Sequence, residues 1–226
     1  MKKKFKLFGI LLALTLGLSL MVGCGDKESD GPNTFGNTTN GIYLLSDLRL
    51  KECILYDFDT KKYDSKEYSE LLEQELAEYN KKHVYKDAEG KDTPAIAIEK
   101  VDVSKNVLTQ ILTYYDTADY LEYNKGELQK RSGKTLETGT LAAPNSTILS
   151  YTYVDKKGEA VNLEELVSSK EASEYRYIIC DLQAVLYGEG KIVGYTTNGV
   201  YTEELNCVTV KGGSPVAVIY RSTEKK

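Results

Sequence analysis

The sequence contains few of the residues on which most catalytic and metal sites depend. It has one histidine, His83, no tryptophan and four cysteines in 226 residues, and no two cysteines have the C-x-x-C spacing. A structural zinc site takes four ligands, usually supplied in close pairs. A Ser-His-Asp or Cys-His mechanism would have to use His83. The sequence therefore predicts no metal site and no bound cofactor.

The N-terminus has the layout of a secretory signal. Four lysines precede residue 7, and residues 7–22 form an uncharged, mostly apolar stretch. The motif that ends this region, Met21-Val22-Gly23-Cys24, resembles the lipobox of bacterial lipoproteins, with Met21 a less usual first residue. The resemblance covers residues 1–24. It implies cleavage before Cys24 and attachment of diacylglycerol to the Cys24 sulfur.

A lipid on Cys24 would hold the protein at the extracytoplasmic face of the cell membrane. One acyl chain binds a membrane only marginally, whereas two or more chains anchor stably, because each buried methylene contributes about 0.8 kcal/mol. The alternative is an uncleaved helix, since residues 7–25 carry no charge and about 18 apolar residues begin to span a bilayer. The lipid-anchored form is the preferred prediction.

Composition divides the chain into three parts. Residues 1–23 are the predicted signal peptide, residues 24–41 a lipidated flexible tether rich in Gly, Asn, Ser and Thr, and residues 42–226 a globular α+β domain. As a flexible coil, the tether would span about 20–25 Å root-mean-square. The sequence leaves open whether the domain subdivides near residues 125–147, where the chain is polar.

The charge of the mature chain restricts its partners. Removal of the signal leaves 25 basic and 34 acidic residues, hence a formal charge of −9. A chain this acidic is poorly suited to binding nucleic acid or an anionic lipid surface. The expected partners are therefore the membrane, through the lipid on Cys24, and an extracellular peptide, glycan or protein, with no nucleic acid.

Three cysteines remain besides Cys24, namely Cys53, Cys180 and Cys207, and each lies in an apolar, β-like run. A free cysteine in such a run behaves as a small buried hydrophobic residue. We expect buried, inert thiols, and one disulfide among the three is the alternative.

The residue pattern predicts an α+β fold with antiparallel sheets, one long helix and one or two short helices, and a C-terminal half that is mostly a β meander. A strand is expected over residues 50–58. The long helix is expected over residues 65–82, with Asp64 as N-cap, because apolar residues and finally His83 recur there at helical spacing.

The remaining elements follow from turn and cap residues. Residues 95–103 and 107–115 predict a β-hairpin, and Asp116 is expected to cap a short helix that runs to Asn124 and stops before Gly126. A polar loop is predicted for residues 125–147. Strands are then expected near 148–154, 174–182, 183–187, 191–197, 200–210 and 215–221, with a helical turn after Asn162.

Three residues are the candidates for chemistry. Asp57 and Asp59 end a predicted strand in a D-x-D pattern, and alternation would place both carboxylates on one strand face. Solvated edge charges explain them better than a catalytic pair. His83 is the third candidate, and packing at the end of a helix, near the C-terminal carbonyls, explains it better than catalysis.

The function predicted from these features is a non-enzymatic binding or interaction domain. The lipobox, the polar tether, the helix entry and a tyrosine-rich β region resemble the small uncharacterised lipoproteins of Gram-positive anaerobic Firmicutes, which implies class and location only. The chain has 18 tyrosines, spread over all segments, which sheet packing explains. The alternatives are a cell-envelope hydrolase using carboxylates, or a small solute-binding component of a transporter.

Overall fold

The structure is a computed structural model that describes residues 41–87, 89–128 and 134–222. The predicted signal peptide, Cys24 and the tether up to residue 40 lie outside the described residues. The predicted α+β fold with antiparallel sheets is confirmed. Within the described ranges, no helix combines the length and the apolar character needed to cross a bilayer.

The helices are short except for the first. In chain order they are α1 (Ser65–Asn80), α2 (Thr117–Tyr123), α3 (Lys125–Leu128), α4 (Ser146–Leu149) and α5 (Leu163–Ser168), followed by one 3-10 turn (Ala172–Glu174).

The strands are as follows in chain order: β1 (Gly41–Leu44), β2 (Leu50–Asp57), β3 (Val84–Lys86), β4 (Asp92–Pro94), β5 (Ile96–Ser104), β6 (Val107–Tyr114), β7 (Leu136–Thr140), β8 (Tyr153–Val154), β9 (Ala160–Val161), β10 (Tyr175–Cys180), β11 (Ala184–Gly188), β12 (Lys191–Tyr195), β13 (Val200–Thr202), β14 (Cys207–Val210) and β15 (Val216–Arg221).

Most strands belong to two large sheets. The first sheet has the order β13-β14-β11-β1-β2-β6-β5, and the second has the order β7-β10-β15-β12-β8-β9. Among the described strands, all pairings are antiparallel except β1 with β11, where Ile42 lies opposite Leu186. Strands β3 and β4 form a separate hairpin. The C-terminal half is mostly strand, and its successive strands are divided between the two sheets.

The main hydrophobic core contains residues of both sheets and of α1. Strand β10 shows how the second sheet is buried on both faces: Ile178 belongs to the main core, whereas Ile179 belongs to a second cluster that includes Leu141 and Ile148. Leu72 and Leu76 of α1 are buried in the main core. Helix α1 therefore packs on the sheets, and it contacts β5.

Helix α1 begins as predicted and ends two residues earlier than predicted. The Asp64 side chain accepts hydrogen bonds from the backbone N–H groups of Lys66 and Glu67, at 2.7 and 3.1 Å. At the other end, the Asn80 side chain pairs with the backbone N–H and C=O of Ile96, at 2.9 and 2.8 Å. These two bonds hold the end of the helix at the start of β5, so His83 follows the helix instead of lying in it.

The hairpin of β5 and β6 confirms the turn prediction. Lys105 and Asn106 have φ angles of 52° and 62°. Two successive left-handed residues match the right-handed twist of the flanking strands. Asn adopts this conformation at low cost, which explains the tight connection.

The prediction of a polar loop over residues 125–147 is wrong for the parts that form α3 and β7, and residues 129–133 lie outside the described residues. Helix α3 runs through Gly126, because Leu128 is buried in the main core and its N–H donates to the Asn124 carbonyl at 2.9 Å. Strand β7 also lies in this segment and pairs with β10. Neither element was visible in the sequence, because each is fixed by contacts with distant residues.

Two predicted strands also need correction. Residues 148–154 contain the end of α4 and the two-residue strand β8, because the Asn145 side chain accepts the Ile148 N–H at 2.9 Å and starts a helical turn. Residues 200–210 are divided into β13 and β14 by a turn in which Asn206 has a φ of 45°.

The three described cysteines confirm the expectation of buried thiols. Cys53, Cys180 and Cys207 are free and buried. Burial raises the pKa of Cys180 to about 12, and burial also raises the pKa of Cys53 and of Cys207. A thiolate is therefore disfavoured at all three positions.

Candidate functional site

The structure places Asp57 and Asp59 at the surface. Asp57 is the exposed last residue of β2, and Asp59 lies beyond the strand, so the predicted alternation does not extend to it. The Lys62 ammonium lies 3.2 Å from one Asp59 oxygen, and the Lys61 backbone N–H donates to the other. These hydrogen bonds, the one from Lys62 first, lower the pKa of Asp59. A general acid needs the opposite shift.

His83 lies between two carboxylates. Its Nδ1 is 3.7 Å from Asp119 Oδ1, and its Nε2 is 3.9 Å from Glu122 Oε1. The imidazole stacks on the ring of Tyr79, with centroids 4.2 Å apart and planes inclined by 10°. The side chain of His83 is 26% exposed and that of Glu122 is 62% exposed. His83 is therefore reachable from solvent on its Glu122 side.

Asp119 is the buried acid of this region. Its side chain is 2% exposed, although it lies on a short helix near the surface. The Tyr79 hydroxyl donates to Asp119 Oδ1 at 3.1 Å. Asp119 Oδ2 is also buried and has no hydrogen-bond partner among the described residues. A buried polar atom without a donor costs about 1–3 kcal/mol.

Asp116 connects the N-terminus of α2 to the β3–β4 hairpin. One of its oxygens accepts the Asp119 backbone N–H at 2.9 Å, which is the predicted N-cap bond. The other accepts the Tyr85 hydroxyl at 3.0 Å. The Tyr85 ring stacks on Tyr115, with centroids 3.8 Å apart. Asp116 thus holds Tyr85 of the hairpin against α2.

We call this group the His83 cluster. It comprises Tyr79, His83, Tyr85, Asp116, Asp119 and Glu122. The end of α1, the β3–β4 hairpin and the start of α2 each contribute to it.

The electrostatics of the His83 cluster favour a proton on Asp119. Burial is the largest cause of the raised pKa of Asp119, and the neighbouring charge of Asp116 raises it further. Burial and these carboxylates also raise the pKa of Tyr79 and of Tyr85, so both hydroxyls remain protonated donors. Two carboxylates held close together resist ionising at the same time.

A second group of tyrosines surrounds Glu52. The hydroxyls of Tyr114 and Tyr120 donate to the two oxygens of Glu52, at 2.8 and 2.9 Å. Asn124 donates to the Tyr114 hydroxyl at 3.2 Å. Glu52, Tyr114, Tyr120 and Asn124 form the Glu52 cluster. Both of its carboxylate oxygens have donors and all three acidic and aromatic side chains are buried, so it has the character of a core network.

Neither cluster is built as a metal centre. In the described part of the chain, no group of three or more His, Cys, Asp or Glu side chains is arranged to hold a metal ion. The polar side chains that face His83 are carboxylates, so His83 forms no Ser-His or Cys-His pair among the described residues.

The sequence analysis predicted Asp116 as an N-cap but did not single out Asp119, although the residue pattern points to it. Asp116, Asp119 and Tyr123 recur at three and four residues, which places Asp119 on the same helix face as the core-facing tyrosines. An acid on an apolar face is an uncommon choice. The proximity of Tyr79, His83 and Tyr85 to this face depends on tertiary packing.

Comparison with known proteins adds no family to this description. No protein-family model, curated protein or solved structure matches the chain.

Proposed function

We propose that the protein is a lipoprotein anchored through Cys24 at the extracytoplasmic face of the membrane, with a non-enzymatic domain that binds an extracellular peptide or protein. The His83 cluster is the binding site in this proposal. The single observation that supports it is the convergence of aromatic and acidic side chains from three separate elements on one partly exposed face.

The surroundings of the His83 cluster suit a peptide. Val84 follows His83 directly and is 54% exposed, so the chain next to the cluster presents an apolar side chain to solvent. A mixture of exposed apolar surface, tyrosine rings and charge is the composition that protein recognition uses, because rings give contact area and charges give orientation.

Catalysis has less support than binding. The alternative hydrolase would use Asp57 and Asp59, but both lie at the surface and the pKa of Asp59 is lowered. Asp119 has the raised pKa of a general acid, yet its side chain is only 2% exposed. A buried acid cannot reach a substrate without rearrangement of the residues above it.

The proposed lipid anchor would leave the His83 cluster accessible to soluble partners outside the membrane. In this proposal the residues between Cys24 and β1 are a tether, whose composition predicts a root-mean-square span of about 20–25 Å. The acidic mature chain is repelled by anionic lipid, which leaves its acidic face free for soluble partners.

The anchor is tested in cells. Globomycin should block cleavage before Cys24, and Cys24→Ala should abolish lipid attachment. Membrane fractionation with mass spectrometry should show the untreated wild-type chain starting at a lipidated Cys24. A wild-type chain that still starts at Met1 would contradict the anchor.

Binding is tested with the lipidated protein in nanodiscs. We expect a decapeptide library of mixed composition to slow hydrogen–deuterium exchange at residues 79–85 and 116–122. Protection by a chitin oligosaccharide alone would contradict a peptide ligand, and protection of neither segment would contradict the assigned site. Cleavage of either probe, detected by mass spectrometry, would contradict a non-enzymatic function.

A further inference from the structure

We propose that His83 occupies a subsite for a cationic side chain, and that a lysine or arginine of the ligand takes its place between Asp119 and Glu122 on the ring of Tyr79. The assignment rests on the proposed binding function and names the chemical class of its ligand.

The imidazole of His83 is held only weakly by the two carboxylates. An N–H···O hydrogen bond between heavy atoms measures about 2.7–3.2 Å, whereas the two His83 nitrogens lie 3.7 and 3.9 Å from the carboxylates. Its backbone N–H donates to the Asn80 carbonyl at 3.3 Å. The imidazole thus bridges two acids without a close hydrogen bond to either side chain.

The subsite contains several carboxyl groups that a cationic ligand can contact. Asp116, Asp119 and Glu122 are three carboxyl groups on one face, and His83 is the only basic group paired with them among the described ion pairs. Ammonium and guanidinium groups stay charged at neutral pH. A lysine or arginine would therefore bring a full positive charge to these carboxyl groups.

The ring of Tyr79 provides the floor of the subsite. The imidazole already lies parallel to this ring at 4.2 Å. A cation over a tyrosine face within about 6 Å of the centroid is attracted by the ring quadrupole. The same position therefore suits an ammonium or, with better stacking, a guanidinium group.

An independent observation points to a ligand at the same place. Asp119 Oδ2 is buried without a partner among the described residues, in a side chain that is 2% exposed. Since His83 Nδ1 lies 3.7 Å from the other oxygen of Asp119, displacement of the imidazole would open space for a ligand beside this acid. A cation that enters there gains a desolvated carboxylate, and the carboxylate gains the counter-charge it lacks.

Binding of a cation should release a proton. Burial and the charge of Asp116 raise the pKa of Asp119 in the free protein. A cation favours the ionised form and lowers that pKa, so binding releases a proton at any pH within the range in which free Asp119 titrates. Affinity should consequently rise with pH across the range in which free Asp119 titrates.

The test is calorimetry with the lipidated protein in nanodiscs and three octapeptides that differ only at the central residue. We expect the lysine peptide to bind at least tenfold more tightly than its acetyl-lysine or glutamate counterparts. Titrations in two buffers of different ionisation enthalpy should show proton release for the lysine peptide. Equal binding of all three peptides with protection at residues 79–85 would overturn the cationic subsite and leave the proposed function standing. No binding of any peptide would contradict both.

Two variants separate displacement of His83 from its participation in binding. His83→Ala removes the occupant and should strengthen binding of the lysine peptide about threefold or more, whereas Glu122→Gln should weaken it by a similar factor. Weaker binding by His83→Ala would overturn the assignment. Glu164→Gln, an exposed change of the same charge on α5, is the matched control and should leave affinity unchanged.

Discussion

Glu52 and Asp119 are both buried carboxyl groups that receive hydrogen bonds from tyrosine hydroxyls, but they differ in how completely those bonds satisfy them. Each oxygen of Glu52 has its own tyrosine donor, at 2.8 and 2.9 Å. Asp119 Oδ1 has the Tyr79 hydroxyl, and its second oxygen has no donor among the described residues. Both oxygens of Glu52 are therefore hydrogen-bonded, whereas only one oxygen of Asp119 is.

The surroundings of the two acids explain the difference. Glu52 lies on β2. The two tyrosines that donate to it, Tyr114 and Tyr120, are buried in the main core, so core packing fixes the geometry of both hydrogen bonds. Asp119 lies on the short helix α2, and its neighbours Tyr79 and His83 come from the end of α1 and from the residues that follow it. A satisfied buried acid stabilises a core, whereas a half-satisfied one costs stability that a ligand can restore.

The largest expected effect is the loss of the Glu52 network. Glu52→Ala leaves two buried hydroxyls without their acceptor, and each hydrogen bond to a charged group is worth about 1.5–3 kcal/mol. We expect the free energy of unfolding in urea to fall by about 3–4 kcal/mol. Glu52→Gln keeps the shape and one carbonyl oxygen and should lose about half as much. A loss below about 1 kcal/mol for Glu52→Ala would show that the network is not structural.

A smaller effect is expected when the corresponding bond of Asp119 is removed. Tyr79→Phe deletes the hydroxyl that binds Asp119 Oδ1 and keeps the ring on which His83 stacks. The expected loss in urea unfolding is about 1 kcal/mol, because the acid is incompletely satisfied already. The matched variant Tyr120→Phe, which removes a donor from Glu52, should lose about twice as much. Equal losses would erase the distinction between the two clusters.

Asp119→Asn should increase stability, with a dependence on pH. The raised pKa of Asp119 means that the folded state holds this proton more tightly than the unfolded state does. Wild-type stability is therefore retained below the ordinary carboxyl range near pH 4 and falls as pH rises through the raised folded pKa. The asparagine side chain of the variant cannot ionise, so thermal unfolding should show a gain of about 1 kcal/mol at pH 7 that vanishes at acidic pH. A variant less stable than wild type by the same margin at every pH would contradict this account.

The smallest effect on stability is expected at the rim of the site. Glu122 is 62% exposed, and its contact with His83 is 3.9 Å long. Glu122→Gln should change the free energy of unfolding by less than about 0.5 kcal/mol, as surface substitutions do. Urea titration beside the peptide calorimetry would separate its effect on binding from any effect on folding. A large loss of stability would assign Glu122 to the fold.

Local chemistry made part of this fold predictable. Asp64 and Asp116 were predicted as N-caps, and both side chains accept backbone N–H groups at the starts of α1 and α2. The turn at Lys105 and Asn106 followed from residue type and spacing. These features depend on neighbours within a few residues, which is the distance over which a sequence can be read directly.

Long-range packing could not be predicted in the same way. The parallel pairing of β1 with β11 joins Ile42 to Leu186, and nothing near either residue specifies the other. For the same reason, the sequence did not show that Tyr79 of α1 would bind Asp119 or that Tyr85 of the β3–β4 hairpin would bind Asp116. His83 was explained by packing, and its stack on Tyr79 agrees with that, but the carboxylates on its other sides were not predicted.

The most direct test is the titration of the Asp119 carboxyl carbon by NMR in protein labelled with carbon-13 aspartate, with the signal assigned by its loss in Asp119→Asn. We predict a titration midpoint above the ordinary carboxyl range near pH 4 in the free protein, and a shift of that midpoint to lower pH when the lysine octapeptide is added. A midpoint at or below about pH 4 that the peptide leaves unchanged would contradict both the half-satisfied acid and the cationic ligand.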